Sequence, residues 1–348
     1  MSKRFLNGVY AIEVLNGRLN TSCPDVENNN SGYDNITFTK KVGNKGYDSS
    51  SSIKSSIKKY MIEQGENISQ YIKDGKKIIV EANPNKNLNE DVFGFMKAET
   101  VKLNEEQYEQ LDDNTKKIYE KKGKEYINKA TKKRDAKFKL NGLIGLGLSR
   151  VKKEYGICNT NGDSMPYILE TYSDVMNGLF NFDINSVGKF IISDNETQFR
   201  DYSVAEAKVL DVKEELPKKE REHRIETTLR ALQYLSIESN QSNYLVDTTP
   251  KVVILGEYSW GNNVFQGVIN KTGINVEALK ETIEDNEQFR LSKIWIGISS
   301  RIASEQFIID KEELKKQLSD ENLNDIIEVT TVGEAFNSYI KYMKETLE

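Results

Sequence analysis

The chain of 348 residues is 37% hydrophobic and 30% charged, with a formal net charge of -5 and a pI of about 5.4, which is the composition of a soluble globular protein with material for a sizeable core. Its single histidine, His223, lies among charged residues, and its two cysteines, Cys23 and Cys158, form no CxxC motif, so these counts speak against zinc sites, a disulfide framework and Ser-His-Asp hydrolysis. The amino terminus has no apolar segment typical of a signal peptide, and no stretch approaches the roughly 18 apolar residues of a membrane span, so we expect a reduced, cytoplasmic protein with no membrane partner.

The charges are unevenly distributed along the chain. Residues 38–60 hold six lysines and one acid, and residues 116–139 hold eleven basic residues and three acids. Residues 310–328 hold seven acids and three lysines. A low pI taken alone argues against a nucleic-acid partner, but the distribution of charge decides more than its sum. The chain is basic in its first half and acidic near its end, although such runs are also typical of solvated helix faces.

The first predicted elements are a strand and a helix. Residues 8–16 alternate, which predicts a strand with Tyr10, Ile12 and Val14 on one face. An Asn-rich loop follows, and the run ITFTKKV predicts a short strand. The segment YDSSSSIKSSIKKYM, 47–61, predicts a helix that is capped by Asp48 or a serine and that turns its apolar residues inward.

The middle of the chain is less regular. The runs KKIIVEA, 76–82, and DVFGFMKA, 91–98, predict strands. Residues 99–135 are polar, highly charged and helix-prone, with thinly spaced apolar residues, which predicts a small helical insertion. The run LNGLIGLGLSRVKKEYG, 140–156, and the alternating segment that contains FNFDIN predict two arms of an extended hairpin around 157–166.

A helix at 219–235 follows, with Ile225, Leu229 and Leu232 on one stripe, and then the strand KVVILGEY. The order of strand, helix, strand, strand, helix and strand matches a ferredoxin-like sheet with helices on one face. Beyond it we predict a helix at 276–288, the strand SKIWIGIS and a final helix in the last segment of the chain, VGEAFNSYIKYMKETL.

The serine run is the strongest chemical signal. A helix amino terminus offers unpaired N–H groups and the positive end of the helix dipole, and both favour phosphate. Serine hydroxyls add donors, and the four-residue spacing places Lys54 and Lys58 on one face. The serine run therefore predicts a site that binds one or two phosphate groups of a nucleic-acid strand. The alternative is a simple helix cap in a polar loop, which needs one serine and not four.

Two other motifs give weaker evidence for function. The run GLIGLGL has the spacing GxxGxG and not GxGxxG, so a strand whose backbone packs closely is favoured over a dinucleotide loop. Asp25 and Asp34 lie in the Asn-rich loop, where an aspartate is usually a turn former. No pair of carboxylates has a spacing that indicates acid-base catalysis. We expect no enzyme activity, no metal and no cofactor.

Several segments, taken in order, are similar to one family. RLNTSCPD at 18–25, SSSSIKSSIK at 49–58, DVFGFM at 91–96 and FNFDINSVG at 180–188 are followed by RIETTLRALQYL, SNQSN, PKVVILGEY and GNNVF. In this order they resemble the DevR-type backbone subunits of type I-B CRISPR interference complexes (Cascade), in the RAMP superfamily. Ser51 stands where the family has glutamine, Lys58 where it has arginine and Val264 where it has proline. The resemblance covers residues 5–265 and is vague for 99–135 and after Gly267.

The resemblance implies an α+β fold: a modified ferredoxin-like or RRM-type palm, inserted helical fingers and a protruding β-hairpin thumb. The palm comprises residues 1–98 and 171–348, the fingers 99–139 and the thumb 140–170. It also implies function. Copies of the chain line up along a guide (crRNA) single-stranded RNA as a helical filament with other Cascade subunits, and the guide reads target DNA by base pairing.

The expected RNA-binding residues follow from the matched motifs. They are Asn20 from the first loop, Ser49, Ser50, Ser51, Ser52, Lys54 and Lys58 from the helix start, Gln241 and Ser242 from the later loop, and Arg150, Lys152 and Lys153 at the base of the thumb. Met165 near the thumb tip is a candidate wedge between bases, although a methionine in a turn more often only packs. The acidic segment 310–328 is expected to face a basic surface of a neighbouring copy.

Two alternatives stay open. Related backbone subunits of type III systems cleave target RNA with a loop aspartate, and Asp25 is the candidate here. The other alternative is a plain protein-interaction module that binds no nucleic acid.

Overall fold

The structure, a computed structural model, describes all residues except 1–2, 22–35, 71, 75–76, 110–112, 118, 161, 194–200, 240 and 322. The chain divides into two compact units. Unit 1 comprises Met1–Tyr60, Leu140–Asp183 and Thr227–Thr346, and unit 2 comprises Met61–Lys139, Ile184–Glu226 and Leu347–Glu348. The predicted thumb lies wholly in unit 1 and the predicted fingers wholly in unit 2, while the predicted domain boundaries stay predictions.

The secondary structure is mixed α and β. The strands are β1 Phe5–Gly17, β2 Ile36–Thr37, β3 Lys41–Val42, β4 Lys45–Asp48, β5 Ile72–Asp74, β6 Lys77–Ile79, β7 Phe95–Leu103, β8 Glu120–Lys122, β9 Glu125–Arg134, β10 Phe138–Leu140, β11 Leu143–Gly145, β12 Lys152–Thr160, β13 Asp163–Asp183, β14 Val252–Tyr258, β15 Ile269–Asn270, β16 Gly273–Ile274, β17 Arg290–Ile298 and β18 Ile327–Thr330. The α-helices are α1 Ser50–Glu63, α2 Leu88–Phe93, α3 Glu105–Glu109, α4 Asp113–Lys116, α5 Val204–Val209, α6 Lys218–Gln233, α7 Gln241–Tyr244, α8 Val276–Asp285, α9 Lys311–Asp320 and α10 Val332–Thr346.

Unit 1 is built on a large sheet in the order β18-β17-β14-β1-β13-β11-β4-β3. Its centre, β14-β1-β13-β11, is antiparallel throughout. In chain order these strands are first β1, then β11 and β13 after α1, then β14 after α6. This is the strand order of a ferredoxin-like fold, so the predicted fold class is confirmed. The added strands β17 and β18 pair in parallel.

The central strands β1 and β14 are buried on both faces, mostly by apolar residues. The predicted inward residues Tyr10, Ile12 and Val14 of β1 are fully buried, and so are Val9 and Ala11 on the other face. The strand β14 is buried along its whole length. Strands covered on both sides read as continuous apolar runs rather than as alternation. Tyr10, Ile12 and Val14 of β1 thus share a buried face as predicted, and the structure covers the opposite face as well.

The predicted hairpin is present in unit 1. The strands β12 and β13 pair from Lys152↔Thr171 to Thr160↔Asp163. Toward its tip the hairpin shows apolar side chains to solvent, since Tyr155 is 70% and Ile157 67% exposed. Below the hairpin β13 continues into the central sheet, for 21 residues in all.

The helical prediction for 99–139 is wrong for most of that segment. In unit 2, β7, β9 and β8 form an antiparallel three-stranded sheet, and the helices that the described residues form between β7 and β8 are the short α3 and α4. In β9 the buried residues include Tyr126, Lys132 and Arg134, all on one face at two-residue spacing. Two of these inward residues are basic, so a search for apolar periodicity misses the strand. Residues 91–93, predicted as strand, belong to α2.

Buried ion pairs organise the interior of unit 2. The Asp91 carboxylate accepts hydrogen bonds from Arg134 Nη2, from Arg224 Nη1 at 2.8 Å and from the Gly188 amide at 3.0 Å. Arg134 Nη1 also donates to Asp201 Oδ2 at 2.7 Å. All of these side chains are almost fully buried. Because each charge meets an opposite charge, the basic residues of β9 and α6 tolerate burial.

Across the described ranges, no helix is long and apolar enough to cross a membrane. His223 lies on an exposed part of α6 beside Glu66, as the charged sequence around it predicts. Cys158 is an exposed free thiol in the hairpin, while Cys23 lies outside the described residues.

Candidate nucleic-acid interface

The start of α1 is built by its own serines. Ser49 caps the helix: its Oγ accepts from the Ser52 amide at 3.4 Å, and its carbonyl accepts from the Ser52 and Ile53 amides at 3.0 and 3.2 Å. The first turn holds no acidic residue. The first N–H groups of a helix have no partner within the regular helical bonding pattern, and they carry the positive end of the helix dipole; here the Ser49 amide donates to the Asp48 carboxylate. This end of the helix fits an anion such as phosphate.

The helix periodicity sorts the predicted contact residues onto different faces. Ile53, Ile57 and Met61 are fully buried, as predicted, and Ser51, Ser55 and Lys59 are exposed. At about 100° per residue, two half-buried sets lie between these faces. One set, the lysine flank, consists of Lys54 and Lys58. The other, the serine flank, consists of Ser52, Ser56 and Tyr60.

The electrostatic environment of the lysine flank favours the binding of an anion. Partial burial lowers the pKa of Lys54 from its usual value, and repulsion from the Lys58 ammonium lowers it further. Both effects penalise the charged form of the lysine. A phosphate oxygen beside the two ammonium groups offsets both penalties, so binding an anion here stabilises the charged pair.

Asn20 holds the chain that enters α1. Its Nδ2 donates to the Tyr47 carbonyl at 2.7 Å and to Asp48 Oδ1 at 2.8 Å, and its Oδ1 accepts from the Lys40 amide at 3.1 Å. Asp48 Oδ1 in turn accepts from the Ser49 amide at 3.0 Å. Both ends of the Asn20 amide are thus engaged within the chain. The structure gives Asn20 a positioning role, and its direct contact with RNA stays a prediction.

Asp48 is fully buried beneath the helix start. Burial raises the pKa of its carboxyl, while hydrogen bonds from Asn20, Ser52 and the Ser49 amide act in the opposite direction. Close glycine packing surrounds it: a Cβ on Gly142 would lie 2.5 Å from the Asp48 carbonyl oxygen. The glycine-rich run therefore serves close strand packing, as predicted, and forms β11 beside β4.

Gln241 and Ser242 begin α7. Gln241 Nε2 donates to the Ile237 carbonyl at 2.7 Å and to the Val246 carbonyl at 3.0 Å, which closes the loop on itself. Ser242 is exposed. The same loop meets α1 through the Lys59–Glu238 ion pair and through the Tyr60 and Tyr234 rings, which stack 6.2 Å apart. The structure thus brings this loop to the serine side of α1, away from the lysine flank.

The basic residues at the base of the hairpin are all exposed: Arg150, Lys152 and Lys153. Lys152 and Lys153 are neighbours on β12 and so point to opposite faces of the hairpin. Nearby Glu170 pairs with Lys41 at 2.8 Å. Met165 is 51% exposed and lies opposite Cys158 close to the hairpin turn, as the wedge prediction requires.

Sequence reasoning missed three residues of this region. Lys59 and Tyr60 stand inside the serine-rich segment, and a helical wheel of that segment places them near Ser52 and Ser56. Arg18 lies with its guanidinium over the Tyr244 ring at 6.0 Å. Only Lys59 and Tyr60 had a sequence signal, because the Arg18 contact joins residues far apart in the chain.

Asp25 and Asp34, the candidate carboxylates for cleavage, lie outside the described residues. In the part of the chain that the structure describes, no three His, Cys, Asp or Glu side chains are grouped so that they could hold a metal ion. The acidic segment 310–328 contains α9, where Lys315 pairs with Glu312.

Comparisons with known proteins concern the fold. No family model and no curated protein matches the chain. A solved chain described as "CRISPR RNA-guided surveillance complex, pre-nicking" is 8% identical, with 97% of this chain and 99% of that chain covered and a TM-score of 0.52. Another, described as "CRISPR RNA-guided surveillance complex", is 10% identical, with 91% and 99% covered and a TM-score of 0.46. The first of these likenesses shows that the chain shares the fold of that protein over nearly its whole length.

Proposed function

We propose that this chain is a non-catalytic crRNA-binding backbone subunit of a CRISPR type I-B interference complex, of the DevR type. The observation that carries the proposal is the start of α1, where four consecutive serines precede Lys54 and Lys58 beside a ferredoxin-like sheet. The fold likeness to a chain of an RNA-guided surveillance complex supports the same assignment.

The groups at the start of α1 suit recognition of the RNA backbone rather than recognition of the RNA sequence. Amide and hydroxyl donors at the cap and the two ammonium groups of the lysine flank all recognise phosphate oxygens. None of these groups distinguishes one base from another. In the proposed function the protein grips the guide RNA at its phosphates and leaves its bases to pair with target DNA.

The proposed assembly follows from this division of work. Several copies lie head to tail along one guide in the cytoplasm, and each copy holds a short segment. The exposed basic residues at the base of the hairpin, Arg150, Lys152 and Lys153, add charge near the strand. Other Cascade subunits are further partners in this assembly. The acidic segment 310–328 faces the basic surface of the next copy.

The test is complex formation with RNA. The purified chain is mixed with a guide-length single-stranded RNA at low salt, where phosphate contacts are strongest, and is run on size exclusion with absorbance at two wavelengths. Lys54→Ala combined with Lys58→Ala removes the lysine flank. Lys218→Ala combined with Lys219→Ala, at the exposed start of α6, is the matched control for net charge.

Wild type and the α6 control are expected to shift to a large species that contains RNA, and the lysine-flank variant is expected to stay apart from the RNA. If wild type remains monomeric and free of RNA, also after co-expression with partner subunits and a CRISPR array, the proposal fails. Incubating the assembled complex with complementary RNA and Mg²⁺ tests the non-catalytic assignment, because cleavage that is lost in Asp25→Ala contradicts it.

A further inference from the structure

A cavity of about 480 Å³ opens in unit 1 where α6 ends and the loop after it returns to β14. Tyr234, Leu235, Leu245 and Val246 give it an apolar wall, while backbone and short polar side chains complete the lining. A space of this size and composition is typical of a small-molecule or base-sized site. None of the chemistry proposed above for α1 uses it.

The wall of the cavity carries an exposed aromatic ring. Tyr234 is 51% exposed, and its ring stacks on Tyr60 at 6.2 Å between centroids and 20° between planes. Tyr60 thus supports the Tyr234 ring from one side. An aromatic ring that is fixed by a neighbour and open on its other side is a stacking platform for a nucleobase.

The lining of the same cavity includes a residue in an unfavourable backbone conformation. Leu245 has φ of 47° and a side chain that is 87% exposed. A left-handed backbone is unfavourable for a bulky L-residue, and an exposed leucine gains no burial in exchange. Asn or Gly adopts this conformation with less strain. Residues held this way concentrate at sites where a ligand uses them.

The same loop contains buried polar atoms without partners. Gln241 Oε1 and Tyr244 Oη are buried, and neither has a hydrogen-bond partner among the residues that the structure describes. The Gln241 Nε2 bonds to Ile237 and Val246 fix the amide in this orientation. Unsatisfied buried groups cost stability. Strain and unsatisfied groups coincide in residues 241–245, so this loop is not optimised for the free chain.

We infer that a nucleobase of the bound RNA strand stacks on Tyr234 and packs against Leu245 in this cavity; the inference rests on the proposed function. The site is continuous with α1, because Tyr60 stacks on Tyr234 and Lys59 pairs with Glu238. The rim carries the carboxylates of Glu238 and Asp247. Glu238 pairs with Lys59 and Asp247 pairs with Lys251, so these rim lysines are already engaged by carboxylates, and the apolar wall suits an uncharged base rather than a phosphate.

The test uses the full chain and a short RNA that carries a single 2-aminopurine, whose fluorescence falls on stacking. Affinity and fluorescence are measured for wild type, Tyr234→Ala, Tyr234→Phe and Leu245→Asn. Val209→Ala, at an 84% exposed apolar residue outside the cavity, is the control. Base stacking on an aromatic side chain contributes enough that Tyr234→Ala should bind about tenfold more weakly. Tyr234→Phe keeps the platform and should retain affinity and quenching.

Leu245→Asn separates binding from folding. It relieves the strained backbone, so its melting temperature should equal or exceed that of wild type by about 2 °C, while its affinity for RNA falls. If RNA binds wild type but quenching and affinity are unchanged in Tyr234→Ala and Leu245→Asn, the cavity assignment is overturned and the proposed function stands. If wild type binds no RNA, both fail.

Discussion

The two units of the chain are stabilised in different ways. The sheet of unit 1 is held mostly by fully buried apolar side chains on both faces of β1 and β14, together with the buried Arg4–Glu257 ion pair. Unit 2 places charges inside, with Asp91 between Arg134 and Arg224 and with Lys132 almost fully buried. Apolar burial is non-directional and tolerates changes of similar size, whereas a buried ion pair needs both partners in place. The two units should therefore respond differently to single substitutions.

Each unit contains a buried aspartate, and the surroundings of the two carboxylates differ. Asp91 in unit 2 meets two arginines. Asp48 in unit 1 is equally buried but, within the described part of the chain, is held by an amide side chain and backbone rather than by an ion pair. The same residue type is stabilising in one place and costly in the other. Replacing each in turn tests this difference directly.

The largest effect is expected for Asp91→Ala. The substitution leaves Arg134 and Arg224 buried without their shared carboxylate, and removing one partner of a buried ion pair costs about 4 kcal/mol of unfolding free energy. Urea denaturation followed by circular dichroism measures the loss. Glu109→Ala, which breaks the more exposed pair with Lys116, is the control and should cost less than about 1 kcal/mol. Equal losses for the two variants would contradict the ionic account of unit 2.

The next effect belongs to the apolar core of unit 1. Ile254 is fully buried in β14 between β1 and β17. Ile254→Ala should destabilise the chain by about 3 kcal/mol through lost burial and a cavity, and Ile254→Val by about 1 kcal/mol. The same denaturation measurement applies. A loss of unfolding free energy that grows with the apolar area removed supports apolar packing as the source of stability. A loss for Ile254→Val as large as that for Ile254→Ala would contradict it.

The smallest effect, with the opposite sign, is expected for Asp48→Asn. Burial raises the pKa of Asp48 in the folded state above its unfolded value, so the ionised form costs stability at neutral pH. Asparagine keeps the oxygen that accepts from Asn20 and Ser49. The variant should be more stable than wild type by on the order of 1 kcal/mol at pH 7, the usual scale of a buried polar change.

The pH dependence supplies the control for that prediction. The cost of ionised Asp48 disappears as the pH falls below the unfolded aspartate pKa of about 3.9, so the advantage of Asp48→Asn should vanish there. Melting temperatures of both proteins across this range measure it. An advantage that does not change with pH would mean that the carboxylate charge is not its cause.

The same contrast explains which parts of the fold were predictable. The strands β1, β14 and β17 and the helices α1, α6 and α10 follow from apolar spacing, because each keeps a regular set of buried apolar residues, although α6 also buries Arg221 and Arg224. In β9 the inward residues Lys132 and Arg134 look like surface residues, and their acidic partners Asp91, Asp201 and Glu206 are distant in sequence. The local composition of residues 99–139 predicts helices, whereas ion pairs with distant acidic residues stabilise the strand β9.

The site was predictable to a similar degree. The helix cap at Ser49 and the pair Lys54 and Lys58 can be placed from four-residue spacing alone. Two other features depend on contacts between distant segments and could not be predicted. Asn20 donates hydrogen bonds to Tyr47 and Asp48, and the Gln241 loop contacts the serine side of α1. The strain at Leu245 has no sequence signal either, since leucine is not typical of a left-handed position.

The most direct test of the central claim, that α1 grips the phosphates of a guide strand, is the salt dependence of RNA affinity. Wild type, Lys54→Ala with Lys58→Ala, and the Lys218→Ala with Lys219→Ala control are titrated with single-stranded RNA over a range of salt concentrations. Each lysine that neutralises a phosphate contributes about 0.7 to the slope of log affinity against log salt. We expect the lysine-flank variant to bind more weakly with a shallower slope and the control to match wild type. Equal slopes and affinities for all three proteins would contradict the claim.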